Sequence, residues 1–355
     1  MAAMMRRSKV VLLVVLAMLV ASLSPAAAIR NGESAIGSEL VVGLIPFDRS
    51  YQRGCSGALV APRLVFTAAH CLQATSTTPT LVSGPLPAGN QIWVSEPGVS
   101  IPRGNKRVTK VIAQFVDPRF KPSSMDPNNG HGPLYDFAVL VLESPIGNQT
   151  FDYVKPAELA ELISAEASVL AIGYGIKSPS DAASQISDPN PTKVNAKLRA
   201  KNIPQGKAGV ELQAANPNMV LQTILPPNVF MGSGDSGSPL WYQRGNEWLY
   251  LGAMCCSNGI NASTPDSSPM WKDKFWVANS HGEYYAAAFF EPVIKAATDY
   301  LAVTPSKQPD PVITPEQQPN QVVKPKKKTI TCVKGVTKRK VTAVKPKCPK
   351  GFKKK

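Results

Sequence analysis

Ten short apolar or alternating runs, separated by turn-rich stretches, most limit what this 355-residue chain can fold into. Runs of this length bounded by Gly, Pro, Asn and Ser are typical of β-strands, and long helical patterns are scarce. The sequence therefore predicts an all-β fold, either a barrel or a sandwich. The runs cover residues 40–45, 57–60, 64–68, 91–94, 108–116, 137–142, 168–172, 219–225, 239–242 and 248–254.

One helix is predicted near the end of the strand-rich part. Pro292 suits the first turn of a helix, and Val293, Ala297 and Leu301 recur at helical spacing. We expect residues 291–302 to pack one apolar face on the strands.

Composition divides the remainder of the chain into segments. Strand-like runs continue across residues 29–303, which predicts one domain. Residues 304–328 are rich in Pro, Gln and Lys, which cannot bury a core, and predict an extended linker. Residues 329–355 alternate strand-forming residues with Lys and predict a small basic tail. A hairpin tied by Cys332 and Cys348 fits this pattern. Surface loops are predicted at 74–90, 117–133 and 176–192.

The first 28 residues have the three parts of a secretory signal peptide. Basic residues precede an apolar run from Val10 to Val20 that continues through Leu23, and small residues follow at 26–28. An uncleaved membrane anchor is the alternative, but the apolar stretch falls short of the roughly 20 residues that span a bilayer. The segment therefore predicts export and removal of residues 1–28.

The formal charge of +15 is concentrated at the two ends of the chain. Residues 304–355 carry +13 and residues 1–28 carry +3, which leaves −1 for residues 29–303. The basic tail predicts salt-dependent contact with an anionic cell wall or envelope, and a solvated tail without a partner fits the same residues. Nucleic acid is not expected as a partner, because Phe352 is the tail's one aromatic residue for stacking.

Six cysteines in an exported chain predict disulfides rather than metal ligands. Cys255 and Cys256 are adjacent, so they either form a strained vicinal bridge or remain free thiols. The spacing of the other four suggests two disulfides, Cys55 with Cys71 and Cys332 with Cys348.

Three motifs contain the groups that acyl transfer needs, which are a hydroxyl activated by a base and donors aimed at the oxyanion. His70 lies in TAAHC, Asp136 opens the apolar run DFAVLVLE, and Ser236 lies between glycines in GSGDSGSPL. Each motif alone also suits a structural role, but their combination in an exported chain predicts a catalytic set. The other histidines, His131 and His281, lie in Gly-containing contexts that predict surface positions.

These motifs resemble the trypsin and chymotrypsin family of serine proteases, in which the His, Asp and Ser motifs follow in the same order. The resemblance covers about residues 29–303 and implies a double six-stranded β-barrel with a C-terminal helix. It also implies that Ser236 attacks the substrate carbonyl, His70 transfers the proton and Asp136 orients the imidazole. The backbone N–H groups of Gly234 and Ser236 would form the oxyanion hole.

The resemblance further implies how the enzyme is activated. In the family a newly cut N-terminus, usually Ile-Val-Gly-Gly, pairs its ammonium with the Asp before the nucleophile. Asp235 has that place here, and cleavage after Ala28 would expose Ile29, followed by Arg30 instead of the usual Val. We expect export itself to create an ion pair between Ile29 and Asp235.

The substrate pocket departs from the family pattern. Phe230 lies six residues before Ser236, where Lys- or Arg-specific members have a carboxylate, so we expect an apolar or small residue before the cleaved bond. Gly232 stands where a Cys is common. The register leaves open whether Cys255 or Ser257 occupies the position whose neighbours hold the substrate backbone.

The sequence as a whole predicts a secreted or cell-surface serine endopeptidase that acts on proteins or peptides without a cofactor or metal ion. Its Lys-rich tail is similar to tails of secreted actinobacterial proteins. The alternative is a catalytically weak, protease-like binding protein held at the cell envelope by its tail. The intact catalytic set favours the peptidase, and the divergent pocket favours the alternative.

Overall fold

The structure is a computed structural model, and its residues form two compact units, Met1–Gln308 and Pro309–Lys355. The predicted signal peptide, most of the predicted linker and His131 lie outside the described residues. The structure describes residues 29, 31–45, 54–73, 81, 83–86, 92–100, 108–120, 133–175, 190–200, 216–227, 229–232, 234–257, 281–306, 328–343 and 345–355.

Strands dominate both units. The strands are β1 (Glu33–Ser34), β2 (Val42–Ile45), β3 (Cys55–Ala61), β4 (Leu64–Thr67), β5 (Gly84–Pro85), β6 (Trp93–Ser95), β7 (Val108–Val116), β8 (Ala138–Leu142), β9 (Ser168–Gly173), β10 (Thr192–Ala200), β11 (Val220–Ile224), β12 (Pro239–Arg244), β13 (Glu247–Ser257), β14 (His281–Ala286), β15 (Lys328–Lys334), β16 (Thr337–Ala343) and β17 (Lys353–Lys354). The helices are α1 (His70–Gln73), α2 (Pro156–Ser164) and α3 (Glu291–Val303), and a 3₁₀ turn at Ala287–Phe289 precedes α3.

The first unit contains two closed antiparallel barrels of six strands each. The first barrel has the order β7-β6-β2-β3-β4-β8 and closes where β8 pairs with β7. The second has the order β10-β11-β14-β13-β12-β9 and closes where β9 pairs with β10. The short strand β5 pairs with β7, and the short strand β1 pairs with β10. The double six-stranded fold and its C-terminal helix, which the resemblance implied, are confirmed.

An aromatic core lies where the two barrels pack together. Phe66 of the first barrel contacts Tyr250 of the second edge-on, with ring centroids 5.2 Å apart. Phe137 stacks on Phe290 at 4.7 Å, just before α3 begins. Because Phe137 follows Asp136 in the chain, this core also anchors the entrance to β8.

Three elements of five or more residues were not predicted from the sequence, namely β10, β14 and α2. The short elements β1, β5 and α1 were not predicted either, and β5 lies in the stretch 74–90 that was expected to be a surface loop. In β10 the buried side chains of Val194, Ala196 and Leu198 alternate with exposed polar residues, which is the pattern of a half-buried strand. In α2, Pro156 occupies the first turn and Leu159 packs inward.

The second unit is a small three-stranded sheet in which β15 pairs with both β16 and β17. A disulfide joins Cys332 to Cys348, and Cys332 is fully buried. The hairpin expected for this tail therefore has a third strand. None of the helices in the described part of the chain has the length and apolar character required to cross a membrane.

Candidate active site

His70 and Asp136 form a direct pair at the ends of two neighbouring elements of the first barrel. His70 begins α1, three residues after β4, and Asp136 lies two residues before β8. His70 Nδ1 is 2.6 Å from Asp136 Oδ2, and the backbone N–H of His70 donates to Oδ1 at 2.7 Å. Asp136 is fully buried, and each of its two carboxylate oxygens contacts His70.

The environment of His70 makes its imidazole a stronger base. Burial alone would lower the pKa of His70, but the charge of Asp136 and its hydrogen bond outweigh that effect and raise the pKa above 6.5. A hydrogen bond from Nδ1–H to the carboxylate leaves Nε2 able to accept a proton. The ring can therefore act as a general base once the pH exceeds its raised pKa.

Tyr135 shapes the chain just before Asp136. Its backbone is left-handed, with φ 53°, which is unusual for a bulky residue. The Arg119 guanidinium lies over the Tyr135 ring, 4.3 Å from its centroid. Arg119 is itself held by Asp117, with Nη2 2.7 Å from Oδ2. These contacts support the backbone conformation that directs Asp136 towards His70.

Ser236 lies in a tight turn between the two barrels. The Ser236 carbonyl accepts the backbone N–H of Ser56 at 2.7 Å, and the N–H of Gly237 donates to the Met254 carbonyl at 2.7 Å. These bonds attach the turn to β3 of the first barrel and to β13 of the second. The position of Ser236 is thus set by contacts that are distant in sequence.

A disulfide connects the two halves of the site. Cys55 is bonded to Cys71, as the spacing suggested. Cys55 precedes Ser56, the residue that binds the Ser236 carbonyl, and Cys71 follows His70. The bond therefore joins the strand that binds the Ser236 carbonyl to the residue that follows His70. Within the described residues no hydrogen bond joins His70 to Ser236, and such bonds commonly tighten only when substrate is bound.

Two backbone N–H groups of the same turn are available to a ligand. Gly234 has φ +91°, a conformation that favours glycine. The N–H of Asp235 donates to the Gly232 carbonyl at 3.0 Å. In the described part of the chain, by contrast, the N–H groups of Gly234 and Ser236 donate to no protein acceptor. They can serve a developing oxyanion.

Asp235 is a fully buried carboxyl group beside the nucleophile turn. It accepts the N–H of Gly175 at 2.9 Å and the N–H of Gly232 at 3.0 Å. Burial raises its pKa to about 8, although these two hydrogen bonds act in the opposite direction. A Cβ at Gly173 or Gly175 would collide with the carboxylate, so both glycines of the AIGYG segment leave room for it.

The family comparison agrees with this geometry. A family model, described as Trypsin, matches residues 33–263, which is more than half of the chain and includes all three motifs. The chain belongs to the trypsin family. It is therefore a serine-type peptidase, a hydrolase whose substrates are proteins.

The structure places Ile29 of this trypsin-family protein in the second barrel. Ile29 is fully buried, and its backbone N–H donates to Thr192 Oγ1. It does not contact Asp235 through a hydrogen bond or ion pair in the full-length chain. The predicted pair concerns a chain cut after Ala28, whereas Ile29 is here an internal residue, so that pair remains a prediction.

A buried group that the sequence did not indicate lies next to Phe230. Phe230 is half-buried, while its neighbour Met231 is fully buried. Tyr284 Oη is 3.2 Å from Met231 Sδ, and a Cβ at Gly282 would lie 2.7 Å from that sulfur. Gly282 and Tyr284 both lie in β14, which was not predicted.

Cys255 lies in the buried core. It is buried, and burial raises the pKa of its thiol well above the ordinary value, with further increases from the nearby Cys256, Glu283 and Asp136. The side chain of Ser257 lies outside the described residues, so the expected choice between Cys255 and Ser257 remains open. His281, expected at the surface, is partly buried, with Nε2 3.3 Å from Glu283 Oε1.

Proposed function

We propose that this protein is a secreted serine endopeptidase that works through an acyl-enzyme. Ser236 is the nucleophile, His70 is the general base and acid, and Asp136 is the partner that orients His70. The observation that carries the proposal is the 2.6 Å contact between His70 Nδ1 and Asp136 Oδ2, next to the Gly-Asp-Ser-Gly turn.

Each proton and bond of the reaction has a defined place in this scheme. Ser236 Oγ bonds to the carbonyl carbon of the substrate while His70 Nε2 takes the hydroxyl proton of Ser236. The resulting oxyanion accepts hydrogen bonds from the backbone N–H groups of Gly234 and Ser236. His70 then gives the proton to the leaving amine as the peptide bond breaks. A water molecule repeats the sequence on the ester, which releases the acid and restores Ser236.

Activation follows from the state of Asp235. Without a cationic partner, a carboxyl with a pKa of about 8 is largely protonated at neutral pH. The nearby Ser238 Oγ is buried and has no hydrogen-bond partner among the described residues. An ammonium at Ile29, created by cleavage after Ala28, would supply a charge partner for Asp235 and a donor for this polar pocket.

The pocket favours substrates with an apolar or small side chain before the cleaved bond. Phe230, which is half-buried, stands where a carboxylate would select Lys or Arg, and the neighbouring Met231 and Tyr284 are fully buried and supply no charge there. We therefore expect poor cleavage after Lys or Arg. Secretion through residues 1–28 and contact of the basic tail with an anionic envelope complete the proposal, in agreement with the two disulfides.

Labelling with a fluorophosphonate probe tests the proposed nucleophile. The secreted wild-type protein should react once, and Ser236→Ala should lose the label, because only an activated serine reacts with the probe. Ser164→Ala, which removes a hydroxyl at the exposed end of α2, is the matched control and should keep the label. Equal labelling of Ser236→Ala would exclude Ser236 as the nucleophile. A folded wild-type protein that takes no label would instead favour the protease-like binding protein.

A further inference from the structure

A β-bulge in β13 brings two neighbouring cysteines to one position of the sheet. Met254 pairs with Tyr284 and Cys256 pairs with Glu283, so β13 advances two residues where β14 advances one. Adjacent side chains of a regular strand point to opposite faces, and a bulge relaxes this alternation. As a result the sulfurs of Cys255 and Cys256 are only 2.6 Å apart.

This separation suits a covalent bond better than a shared metal ion. Cys255 and Cys256 are both free thiols. Two thiolates bound to a tetrahedral metal at about 2.3 Å lie roughly 3.8 Å apart, so metal binding would have to separate the sulfurs. A disulfide, at about 2.05 Å, needs a smaller movement in the opposite direction.

The surroundings give the two thiols different roles. Cys256 is partly exposed and Cys255 is buried, so an external reagent reaches Cys256 first. The carboxylate of Glu283 lies within 4.8 Å of both sulfurs, and its charge adds to the effect of burial in raising the pKa of the Cys255 thiol. His281 Nε2, 3.3 Å from Glu283 Oε1, continues that polar path along β14.

We propose that Cys255 and Cys256 are a redox-active pair that closes a vicinal disulfide by exchange with a small-molecule disulfide and thereby regulates the peptidase. The thiolate of Cys256 attacks the external disulfide and releases one thiolate. Cys255 then attacks the sulfur of Cys256 and releases the second. The two protons lost by the cysteines end on the two released thiols, and two electrons pass to the external disulfide.

The pair is placed where a new bond would alter catalysis. Cys255 belongs to the same buried cluster as Phe137, the residue after Asp136, and Ser257, the residue after Cys256 in β13, pairs with Gly282 of β14. Drawing Cys256 towards Cys255 changes the pairing of β13 with β14 at the bulge. The regulatory effect rests on the proposed peptidase function, whereas closure of the disulfide does not. We expect oxidation to lower kcat/KM for peptide substrates about ten-fold or more, because a small displacement of a strand that positions substrate greatly lowers the reaction rate.

Glutathione buffers of varied ratio test both parts on the full-length secreted protein. Alkylation with iodoacetamide and peptide mapping should find free Cys255 and Cys256 under reducing conditions. Under oxidising conditions both should resist alkylation, with a mass lower by two hydrogens and no glutathione adduct. Activity of the same samples should follow the alkylation state. Cys256→Ser keeps the Cys55–Cys71 disulfide next to His70, so its activity should not respond over the range that changes the wild type.

Several results would overturn the proposal. Alkylation of both thiols at every ratio, or a stable glutathione adduct on Cys256, would exclude the vicinal disulfide. Stoichiometric Zn²⁺ that protects both thiols from oxidised glutathione would identify a metal site instead. Equal activity of the oxidised and reduced forms would exclude regulation. If the disulfide forms but the wild type takes no fluorophosphonate label, the redox pair stands and the proposed peptidase function fails.

Discussion

At the scale of single residues, Asp235 is a fully buried carboxyl group whose hydrogen bonds come from the backbone N–H groups of Gly175 and Gly232. Its pKa, raised by burial to about 8, means that the folded chain keeps a proton which the unfolded chain loses near pH 4. Stability contributed by this group is therefore complete at low pH and is lost as the pH rises towards 8.

Replacement of Asp235 by Asn should have opposite effects on two forms of the chain. The first form is a Ser236→Ala chain that keeps Ala28 before Ile29. In it, Asp235→Asn should raise the free energy of unfolding above that of the parent at pH 8 and change it less at pH 4, because Asn has no carboxyl group whose raised pKa penalises folding. In a chain that begins at Ile29, the same change should destabilise the fold at pH 7, because it removes the partner of the ammonium. Urea unfolding at several pH values measures both effects.

Two outcomes would contradict this account of activation. An equal effect of Asp235→Asn on both chains would show that the Ile29 amine does not reach the carboxylate. Terminal sequencing of the secreted protein that finds a start well before or after Ile29 would show that export does not create the required amine.

At the scale of elements, the turn that carries Ser236 depends on close packing between the barrels. Gly237 has φ +75°, and a Cβ there would collide with Thr67 of β4 and with the Ser56 carbonyl of β3. The hairpin residue Gly245 has a similar φ of +60° but nothing within 4 Å of its Cβ position. The two glycines thus separate the cost of backbone conformation from the cost of steric contact.

Alanine substitutions at these two glycines should differ in both stability and activity. Gly245→Ala should lower the free energy of unfolding by about 1–2 kcal/mol, the cost of a left-handed alanine. Gly237→Ala should cost clearly more and should reduce fluorophosphonate labelling, because the turn must shift away from β3 and β4. Chemical denaturation and probe labelling measure the two effects. Equal losses would show that the turn is not held by the contacts with Thr67 and Ser56.

At the scale of the whole molecule, the positive charge of the chain is concentrated in residues 304–355, whereas residues 29–303 are close to neutral. The second unit presents a basic sheet face, since Lys338 and Lys353 both pair with Val333, and Lys340 pairs with Thr331 two residues away. The three lysines therefore share a face with Thr331 and Val333. A surface with this arrangement attracts phosphate-rich polymers or lipids in a salt-dependent way.

Charge reversal on this face should strongly weaken binding to anionic surfaces. Each Lys near an anionic membrane contributes about 1 kcal/mol, so replacing Lys338, Lys340 and Lys353 by Glu should weaken binding to anionic phospholipid vesicles at least about 100-fold. Wild-type binding should also fall as salt is raised. Vesicle co-sedimentation measures both effects, while hydrolysis of a soluble peptide should not change.

Reversal of three exposed lysines in the first unit is the matched control for net charge. A chain with Lys155, Lys197 and Lys295 replaced by Glu should still sediment with the vesicles. If both triple variants lose binding equally, net charge and not the sheet face is responsible. If the wild type does not bind at low salt, the tail is a solvated segment without this partner.

Much of the fold was predictable because strands and motifs depend on residues that are close together in the sequence. The run at 108–116 matches β7, and the helix expected at 291–302 matches α3 within one residue. The order of the motifs around His70, Asp136 and Ser236 pointed to the correct family. By contrast, β14 was missed, since HGEYYA lacks the alternation of a half-buried strand.

The sequence by itself indicated an all-β fold through short-range periodicity, and its contiguous motifs indicated the family. The resemblance to that family, in turn, implied the double barrel and the residues proposed for catalysis. Only the tertiary structure decided the buried state of Asp235, the grouping of Met231 with Tyr284 and the close approach of Cys255 to Cys256. These features depend on burial and on the register between strands that are distant in the chain. Burial changes a pKa, and a one-residue bulge changes which side chains meet, without any mark in the local pattern.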